Sequence, residues 1–235
     1  AAALFEDGLL QGRRVVITAG PTREALDPVR YISNHSSGKM GYALAQAAVD
    51  AGARTTIVSG PVQLPAPDHT RVIAVESATQ MLDRCLELLP ECDIFIACAA
   101  VADYRPAATQ AQKIKKGPEQ ISLQLVRNPD IVATVAAREQ HPFTVGFAAE
   151  TRDVVAYARE KLQRKGLDMI VANDVSDQSI GFNSDVNEAV VLWRDGEQAL
   201  ARTGKSTMAR QIVQLIARHL DQGLPDRPGR DVSRK

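Results

Sequence analysis

The polar segment at residues 19–41, AGPTREALDPVRYISNHSSGKMG, constrains the fold of this chain more than any other part. It follows an apolar run at residues 15–18 and leads into small apolar residues that predict a helix at 40–51. In an α/β nucleotide-binding protein the first ligand loop stands at this position, between the first strand and the first helix. The segment therefore predicts a ligand-binding loop in a fold of this class.

The loop spells neither of the common phosphate-binding motifs. A dinucleotide fold has G-x-G-x-x-G directly after the strand, and this chain lacks that pattern there. A Walker loop needs a glycine where Ser33 stands and a serine or threonine where Met40 stands. We therefore expect a long, specialised polar loop with its own ligand.

Apolar runs alternate with helical patterns along most of the chain, which predicts a Rossmann-like α/β fold. We expect a doubly wound, mainly parallel sheet with helices on both faces and an antiparallel edge extension. The predicted strands of the parallel sheet span residues 14–18, 55–59, 71–75, 93–101, 143–148 and 168–172. The predicted helices span residues 40–51, 78–89, 153–165 and 206–220.

Local signals refine the helix ends. Ser77 stands where it can cap the second helix, and Gly166 stands where it can end the helix that begins at residue 153. Asn128 and Pro129 predict a further helix, with Asn128 as its cap and proline at the first helical position.

Two further segments predict strands outside the parallel set. Residues 121–126 alternate in polarity, which indicates a half-exposed and antiparallel strand. Residues 188–194 predict a strand that turns back along the edge of the sheet. Together they account for the antiparallel extension.

The composition limits the classes of function. The 28 basic and 28 acidic residues give a formal net charge of zero, which argues against extended binding of nucleic acid or membrane surfaces. No apolar run approaches the ~20 residues that span a bilayer. Cys85, Cys92 and Cys98 form no C-x-x-C pair, which predicts reduced structural thiols in a cytoplasmic protein. The four histidines are scattered and predict no zinc site.

Unusual polar sequences follow the predicted strands at residues 19–38, 59–61, 99–105, 148–151 and 173–185. In open α/β sheets ligands bind beyond the carboxyl ends of the strands. Any one of these segments could be an ordinary loop, but their repetition at one edge predicts a binding site.

Side chains in the first loop have both a functional and an ordinary interpretation. Ser36, Ser37 and Gly38 precede a helix and could cradle a phosphate, or the serines could simply cap the helix. Asn34 could hold an acyl oxygen through its amide, although loop asparagines more often form turns. Arg30 could bind a carboxylate or phosphate in a bidentate manner, or make a surface salt bridge.

The candidate residues further along the chain are cationic, acidic or aromatic. The polar stretch at residues 107–120, here called the flap segment, carries Lys113 within KIKK and could bring cations over a triphosphate, or be a solvated charge run. Lys161 and Lys165 share one helix face and could reach phosphates together. Asp103 could bind a ribose hydroxyl, a base amine or a metal, or cap a turn. Phe147 could sandwich a base or belong to the core.

These motifs, in this order, resemble those of the phosphopantothenoylcysteine synthetase family, the phosphopantothenate–cysteine ligases. The resemblance rests on residues 17–41 and on CAAVADYRP, KIKK, NPDI, VGFAAET, ANDVS and GFNSD, and it covers about residues 12–220. The first motif is specific to the family. The periodicity alone predicts only a ligand-binding α/β sheet.

The resemblance implies a ligase of coenzyme A biosynthesis. In such an enzyme CTP reacts with the carboxylate of 4′-phosphopantothenate to give an acyl-cytidylate and pyrophosphate. The amine of cysteine then attacks the acyl carbon, which releases CMP and forms 4′-phosphopantothenoylcysteine. Mg²⁺ is expected as a partner of the triphosphate and not in an all-protein metal site.

The resemblance also assigns the site residues. Asn34 matches the asparagine that holds the acyl group, and Lys113 the flap lysine that supports formation of the acyl-cytidylate. The matching nucleotide contacts are Ala97, Cys98, Ala99, Asp103, Lys113, Pro129, Asp130, Ile131, Val132, Phe147, Lys161 and Lys165. The matching contacts of the phosphopantothenate are Arg30, Asn34, Ser36, Ser37, Gly38 and Ala100.

The family is typically dimeric, so we expect a homodimer, and its bacterial members are usually fused to a flavin-dependent decarboxylase. We predict a linker remnant at residues 1–12, the CTP-dependent ligase domain at 13–221 and a flexible tail at 222–235. We expect no flavin and no decarboxylase activity in this chain.

Two other classes of function compete with the ligase. An NAD(P)-dependent oxidoreductase is disfavoured by the missing glycine fingerprint and by Ser59-Gly60-Pro61, where an acidic ribose contact would end the second strand. A nucleotide-sensing dimer that binds CTP without turnover is disfavoured by the presence of Asn34 together with Lys113.

Overall fold

A central sheet organises the part of the chain that the computed structural model describes, which is residues 8–117, 119, 121–150, 152–174 and 185–221. Within these residues the sheet has eight strands in the order β12-β11-β10-β9-β6-β1-β4-β5. Its strands are β1 (Arg14–Ala19), β4 (Arg54–Ser59), β5 (Thr70–Ala74), β6 (Ile94–Ala97), β9 (Phe143–Glu150), β10 (Met169–Asp174), β11 (Val186–Trp193) and β12 (Gly196–Gly204).

The strands from β5 to β10 are parallel, and β11 and β12 are antiparallel additions beyond β10. The chain starts in the middle of the sheet at β1, moves outward through β4 to β5, and then returns to β6 on the other side of β1. The direction of winding therefore reverses between β1 and β6, and a crevice at such a switch point is where α/β sheets bind ligands. The predicted doubly wound, mainly parallel fold with an antiparallel extension is confirmed.

Five helices cover the sheet in the described part of the chain. They are α1 (Lys39–Asp50), α2 (Ala78–Leu88), α3 (Ile131–Ala136), α4 (Val154–Lys165) and α5 (Lys205–Asp221), with a short 3₁₀ turn at Leu89–Glu91.

Alternation along the strands places these helices on opposite faces. Val15 and Ile17 pack with α1 and α5, whereas Val16 and Phe95 pack with α2 and α3. Successive side chains of a strand point to opposite faces, so one apolar strand can supply both layers. A third cluster, centred on Ile170, packs under α4.

Two predicted helix ends are confirmed. The side chain of Ser77 accepts the backbone N–H of Gln80 while the Gln80 side chain accepts the N–H of Ser77, which forms a capping box at the start of α2. Gly166 ends α4 with a φ of 64°, a left-handed conformation that glycine adopts without strain. Both signals act within a few residues along the chain.

Two small antiparallel pairs lie outside the main sheet. One pairs β2 (Arg23–Ala25) with β3 (Tyr31–Ser33), and the other pairs β7 (Tyr104–Pro106) with β8 (Leu125–Arg127). The strand predicted at residues 121–126 is therefore antiparallel as expected, but it is shorter and lies further along the chain.

Three further predicted elements were wrong in their bounds or place. The strand predicted at 93–101 ends at Ala97, because the chain beyond it turns to contact the loop after β1. The strand predicted at the edge is β11, which lies inside the sheet because β12 pairs with its outer side. Asn128 does not cap a helix: α3 begins after Asp130, whose side chain accepts the N–H of Ala133.

Candidate functional site

The loops that follow β1 and β6 are held side by side at the switch point. Ala100 N–H donates to Gly20 O at 2.9 Å, and Thr22 N–H donates back to Ala100 O at 3.3 Å. Two buried hydroxyls reinforce the contact, since Thr18 Oγ1 accepts from Ala99 N–H and Thr22 Oγ1 accepts from Ala102 N–H. The two loops therefore form one rigid wall at the carboxyl edge of the sheet.

Two adjoining cavities of about 500 and about 600 Å³ open against this wall. Residues from the predicted polar segments at 19–38, 99–105 and 148–151 line these cavities, whereas residues 59–61 do not, and residues 151 and 175–184 of the predicted segments lie outside the described part of the chain. The residues that line both cavities, and so form the partition between them, are Ala99, Val101, Asp103, Phe147 and Lys161.

The first cavity receives the amino end of α1. Gly38 precedes the helix with a φ of 76°, and no side chain caps the helix. Ser36 Oγ and Ser37 Oγ accept instead from the N–H groups of Gly38 and Lys39, at 3.3 and 3.5 Å. Unpaired N–H groups and the positive end of the helix dipole favour an anion at such a terminus.

Asn34 enters the same cavity directly after β3. Its Nδ2 donates to the carbonyl oxygen of Val101 at 3.0 Å, which fixes the orientation of the side-chain amide. Asn34 therefore connects the first loop to Val101, one of the residues of the partition.

Other polar residues of the first cavity had no role in the sequence analysis. Lys39, Asn173, Asn187 and Lys205 line it, and Lys39 Nζ pairs with Asp185 at 2.6 Å. Burial lowers the pKa of Lys205, and the charge of Lys39 lowers it further. Lys39 stands in the motif at residues 17–41 and Asn173 in the ANDVS motif, although neither was assigned a role. Asn187 and Lys205 come from later parts of the chain and show no local pattern.

Four cationic residues line the second cavity, Arg127, Lys161, Arg164 and Lys165, and the two lysines pair with carboxylates of the protein. Lys161 Nζ lies 2.5 Å from Glu150 Oε1, and Lys165 Nζ lies 2.8 Å from Asp130 Oδ2. The predicted nucleotide contacts at this cavity are Ala97, Ala99, Asp103, Pro129, Asp130, Ile131, Val132, Phe147, Lys161 and Lys165. Cys98 and Ala100 line the first cavity instead, as do Ser36, Ser37 and Gly38.

Asn128 braces the loop that carries Asp103. Its Nδ2 donates to Ala102 O at 2.8 Å, its Oδ1 accepts from Arg105 Nη1 at 3.0 Å, and its backbone N–H donates to Asp103 O. These contacts explain why Asn128 is buried and why it cannot serve as a helix cap.

Cys85, Cys92 and Cys98 form no disulfide bond, and Cys92 Sγ donates to the backbone oxygen of Ile94. Burial raises the pKa of Cys85 and of Cys98 to about 12, so both remain protonated near neutral pH. A thiol in this state is a poor nucleophile, and neither side chain is suited to covalent catalysis.

Arg30 and Lys113 do not belong to the described linings of the two cavities. The Arg30 side chain pairs with Asp27, and its Nη2 donates to the backbone oxygen of Ile114, beside Lys113. Their predicted contacts with substrate and nucleotide stay predictions.

The described residues contain no group of three or more His, Cys, Asp or Glu side chains placed to hold a metal ion. No helix in this part of the chain is long and apolar enough to cross a membrane.

The fold and the site define a Rossmann-type α/β protein with a two-part ligand crevice at its switch point. Residues 10–220 match the family described as DNA/pantothenate metabolism flavoprotein C-terminal domain, and the chain belongs to that family. The family predicted from the motifs is thereby confirmed.

Two curated relatives share one name. The coenzyme A biosynthesis bifunctional protein CoaBC of Vibrio vulnificus is 54% identical over 215 residues, which are 90% of this chain and 54% of the relative. The Escherichia coli protein of the same name is 49% identical, over 91% of this chain and 53% of its own length. The chain therefore spans about half the length of the curated relatives it matches.

A solved structure agrees with this assignment. The crystal structure of the C-terminal domain of a coenzyme A biosynthesis bifunctional protein CoaBC superposes with a TM-score of 0.80 at 39% identity. It covers 92% of this chain and 100% of that domain.

Proposed function

We propose that this chain is the phosphopantothenate–cysteine ligase of coenzyme A biosynthesis. It activates 4′-phosphopantothenate with CTP, releases pyrophosphate, and couples the acyl group to cysteine. Family membership supports the pathway, because the relatives are named as coenzyme A biosynthesis proteins. The observation that carries the chemistry is the pair of cavities joined at Asp103, Phe147 and Lys161.

An acyl-cytidylate has two parts, and the two cavities offer matching chemistry. The first cavity offers the α1 terminus with Ser36 and Ser37 for the phosphate of phosphopantothenate. The second offers Lys161 and Lys165 for the nucleotide phosphates and Phe147 for the base. The mixed anhydride then lies at the partition, near Asn34.

Each chemical step uses groups of this chain. In the first step a carboxylate oxygen attacks the α-phosphorus of CTP, and the bond to pyrophosphate breaks. Lys161, Lys165 and the flap residue Lys113 stabilise the charge on the leaving phosphates. In the second step the cysteine amine attacks the acyl carbon, the amine loses a proton, and CMP leaves. The oriented amide of Asn34 holds the acyl group for this attack.

Mg²⁺ is proposed to accompany the triphosphate. Mg²⁺ is commonly held by one or two carboxylates, substrate phosphates and water, and Asp103 provides a carboxylate at the partition. The absence of a larger acidic cluster in the described residues suits this arrangement better than an all-protein site. When bound, the ion neutralises charge on the triphosphate.

We extend the proposal to assembly. The antiparallel pairs and the residues next to them expose large apolar side chains, as an interface between two copies of the chain would. They include Val29, Tyr31, Tyr104, Ile121, Leu123 and Leu125. A homodimer is therefore proposed, with residues 13–221 as the ligase domain. Fusion to a flavin-dependent decarboxylase and action in the cytoplasm are proposed from the bifunctional relatives.

Pyrophosphate release tests the ligase directly. The assay contains CTP, Mg²⁺ and 4′-phosphopantothenate, with and without cysteine, and compares ATP, GTP and UTP with CTP. Cysteine-dependent turnover with CTP supports the proposal. Binding of CTP without any pyrophosphate release contradicts it and leaves a nucleotide sensor. Binding of NADH in a separate titration would point to an oxidoreductase.

Two variants test the assigned roles. Lys113→Gln should lose the first half-reaction, whereas Lys116→Gln, a neighbouring change in the same charge run, should retain it. Asn34→Asp keeps the size of the side chain but adds charge, so it should form the acyl-cytidylate and accumulate it. Mass spectrometry of the quenched reaction detects this intermediate. An Asn34→Asp variant that releases pyrophosphate but accumulates no acyl-cytidylate would contradict the role of Asn34.

A further inference from the structure

The flap segment is attached to the β2–β3 hairpin by its backbone. Gln110 N–H donates to Leu26 O at 2.9 Å, and Thr109 Oγ1 donates to Ala25 O at 3.1 Å. The segment therefore runs along the turn of the hairpin before it reaches Lys113.

Asp27 provides the next attachment. Its side chain is fully buried, and its Oδ1 accepts the N–H groups of Val29 and Arg30 at 2.8 and 2.9 Å. Its Oδ2 accepts from Nε and Nη2 of Arg30 and from the backbone N–H of Ile114 at 3.0 Å. The Arg30 side chain holds the pKa of Asp27 well below its ordinary value, burial opposes this, and the backbone N–H groups assist it.

Arg30 supplies a second hydrogen bond to the backbone of Ile114. While Asp27 accepts the N–H of Ile114, Arg30 Nη2 donates to the carbonyl oxygen of Ile114 at 2.8 Å. Both backbone hydrogen-bonding groups of Ile114 are therefore held by a single ion pair. An isolated surface salt bridge would not have a buried carboxylate or bind a distant backbone in this way.

The hairpin itself is fixed to the body of the protein. Glu24 is buried, and its Oε1 accepts the N–H of Ala78 at 2.9 Å at the start of α2. Ser33 Oγ donates to Thr22 O at 2.7 Å, immediately before Asn34. The hairpin thus carries Asn34 at one end and the Asp27–Arg30 pair at its turn.

We propose that Asp27 is a positioning residue, which with Arg30 forms a latch that sets the place of Lys113 relative to Asn34. The latch holds Ile114 through its backbone, so it fixes the neighbouring lysine without contacting substrate. This inference rests on the proposed function for the role of Lys113. The latch itself is a contact between two segments and can be measured without any turnover.

The first test is amide hydrogen exchange of the native chain and of Asp27→Asn. This change keeps the size of the side chain but removes the charge that binds Arg30 and the Ile114 N–H. We expect exchange at Ile114 to become at least about tenfold faster, since its opening is no longer opposed by the ion pair. Asp83→Asn, which changes an exposed aspartate on α2, is the matched control and should leave exchange at Ile114 unchanged.

The second test is the first half-reaction. Asp27→Asn should lower kcat for pyrophosphate release about 10- to 100-fold, with little change in the affinity for CTP, because it displaces a charge that acts mainly in the transition state. In a Lys113→Gln background the same change should have no further effect on kcat. A purely structural role would instead reduce both backgrounds alike.

The outcomes separate the latch from the ligase proposal. Unchanged exchange at Ile114 in Asp27→Asn overturns the latch, whatever the activity. Faster exchange with an unchanged kcat overturns its positioning role. If the native chain releases no pyrophosphate, the ligase proposal and this positioning role both fail, while exchange still decides whether the latch exists.

Arg30→Lys provides a second variant if Asp27→Asn does not fold. It keeps the charge next to Asp27 but removes the planar group that reaches the Ile114 oxygen while binding the carboxylate. Faster exchange at Ile114 together with a lower kcat supports the proposal. If either the exchange rate or kcat equals that of the native chain, the proposal is overturned.

Discussion

Gly38 joins a backbone requirement to a ligand requirement at a single residue. Its φ of 76° lies in the left-handed region, and a Cβ there would come within 2.7 Å of Val62 Cγ1. The same conformation turns the chain into α1, so that the first amides of the helix face the cavity. A side chain at this position would therefore disturb both folding and binding.

Gly38→Ala is expected to lower the free energy of unfolding by about 1–2 kcal/mol from backbone strain alone. It should also raise KM for 4′-phosphopantothenate, because the amides that face its phosphate would shift. Urea denaturation and initial rates measure the two effects. Gly204→Ala is the control, since a Cβ at Gly204 meets nothing within 4 Å; equal behaviour of the two variants would contradict this account.

Cys98 shows how burial removes a nucleophile from a cavity wall. Its pKa of about 12 leaves almost no thiolate near neutral pH. We expect the folded protein to resist iodoacetamide at Cys98 at pH 7, and the chain unfolded in urea to react readily. Cys98→Ala should keep turnover within a few-fold. Rapid labelling of the folded protein, read by mass spectrometry, would show that the thiol is activated.

At the scale of elements, the site depends on the contact between the loops after β1 and β6. Thr22 is fully buried, and its hydroxyl accepts the N–H of Ala102. Its backbone N–H donates to the carbonyl oxygen of Ala100. The hydrogen bond of the hydroxyl with Ala102 connects two loops that are about eighty residues apart in the sequence.

Thr22→Val preserves the shape of the side chain but leaves the Ala102 N–H buried without a partner. We expect a loss of about 1–3 kcal/mol in unfolding free energy, the usual cost of an unsatisfied buried group. Thr79→Val, at an exposed position of α2, should be close to neutral. Thermal unfolding of both variants provides the measurement, and a neutral Thr22→Val would mean that the hydroxyl does not support the wall.

The sequence predicts those elements whose signals are local. The capping box at Ser77 and the terminal Gly166 depend on neighbours within a single turn, and the structure has both. Asn128 was misassigned because its partners, Ala102 and Arg105, are distant in sequence. The sequence is equally apolar before and after Ala97, so it does not mark the end of β6. That end depends on the contact with the loop after β1.

The same distinction applies to the site. The predicted residues around Ser36, Asp103 and Phe147 come together because each follows a strand or precedes a helix at one edge of the sheet. Lys205 and Asn187 were missed because nothing near them in the sequence marks them. The Asp27–Arg30 pair was visible as residue types, but its contact with Ile114 required the fold.

At the scale of the whole molecule, buried charge links stability to pH. Because the pKa of Asp27 is lower in the folded chain than its ordinary value of 3.8, its stabilising effect is fully present above that value. It is lost as the pH falls toward the folded pKa. The latch is therefore expected to remain charged throughout the neutral range.

Unfolding measured across pH tests this linkage. The stability difference between the native chain and Asp27→Asn should be constant near neutral pH and should shrink once the pH falls below 3.8. Asp83→Asn should show no such difference at any pH. A difference that changes between roughly pH 6 and pH 8 would indicate another titrating group.

The ion pairs of Lys161 with Glu150 and of Lys165 with Asp130 mean that the protein supplies anions that compete for these two cations. An incoming phosphate gains these cations only by displacing carboxylates that are covalently part of the protein and never diffuse away. A small anion can replace only one of the two carboxylates, so its net gain in binding free energy is small. A polyphosphate can replace the carboxylates of Glu150 and Asp130 together. We therefore expect the crevice to select its ligand by length as well as by charge.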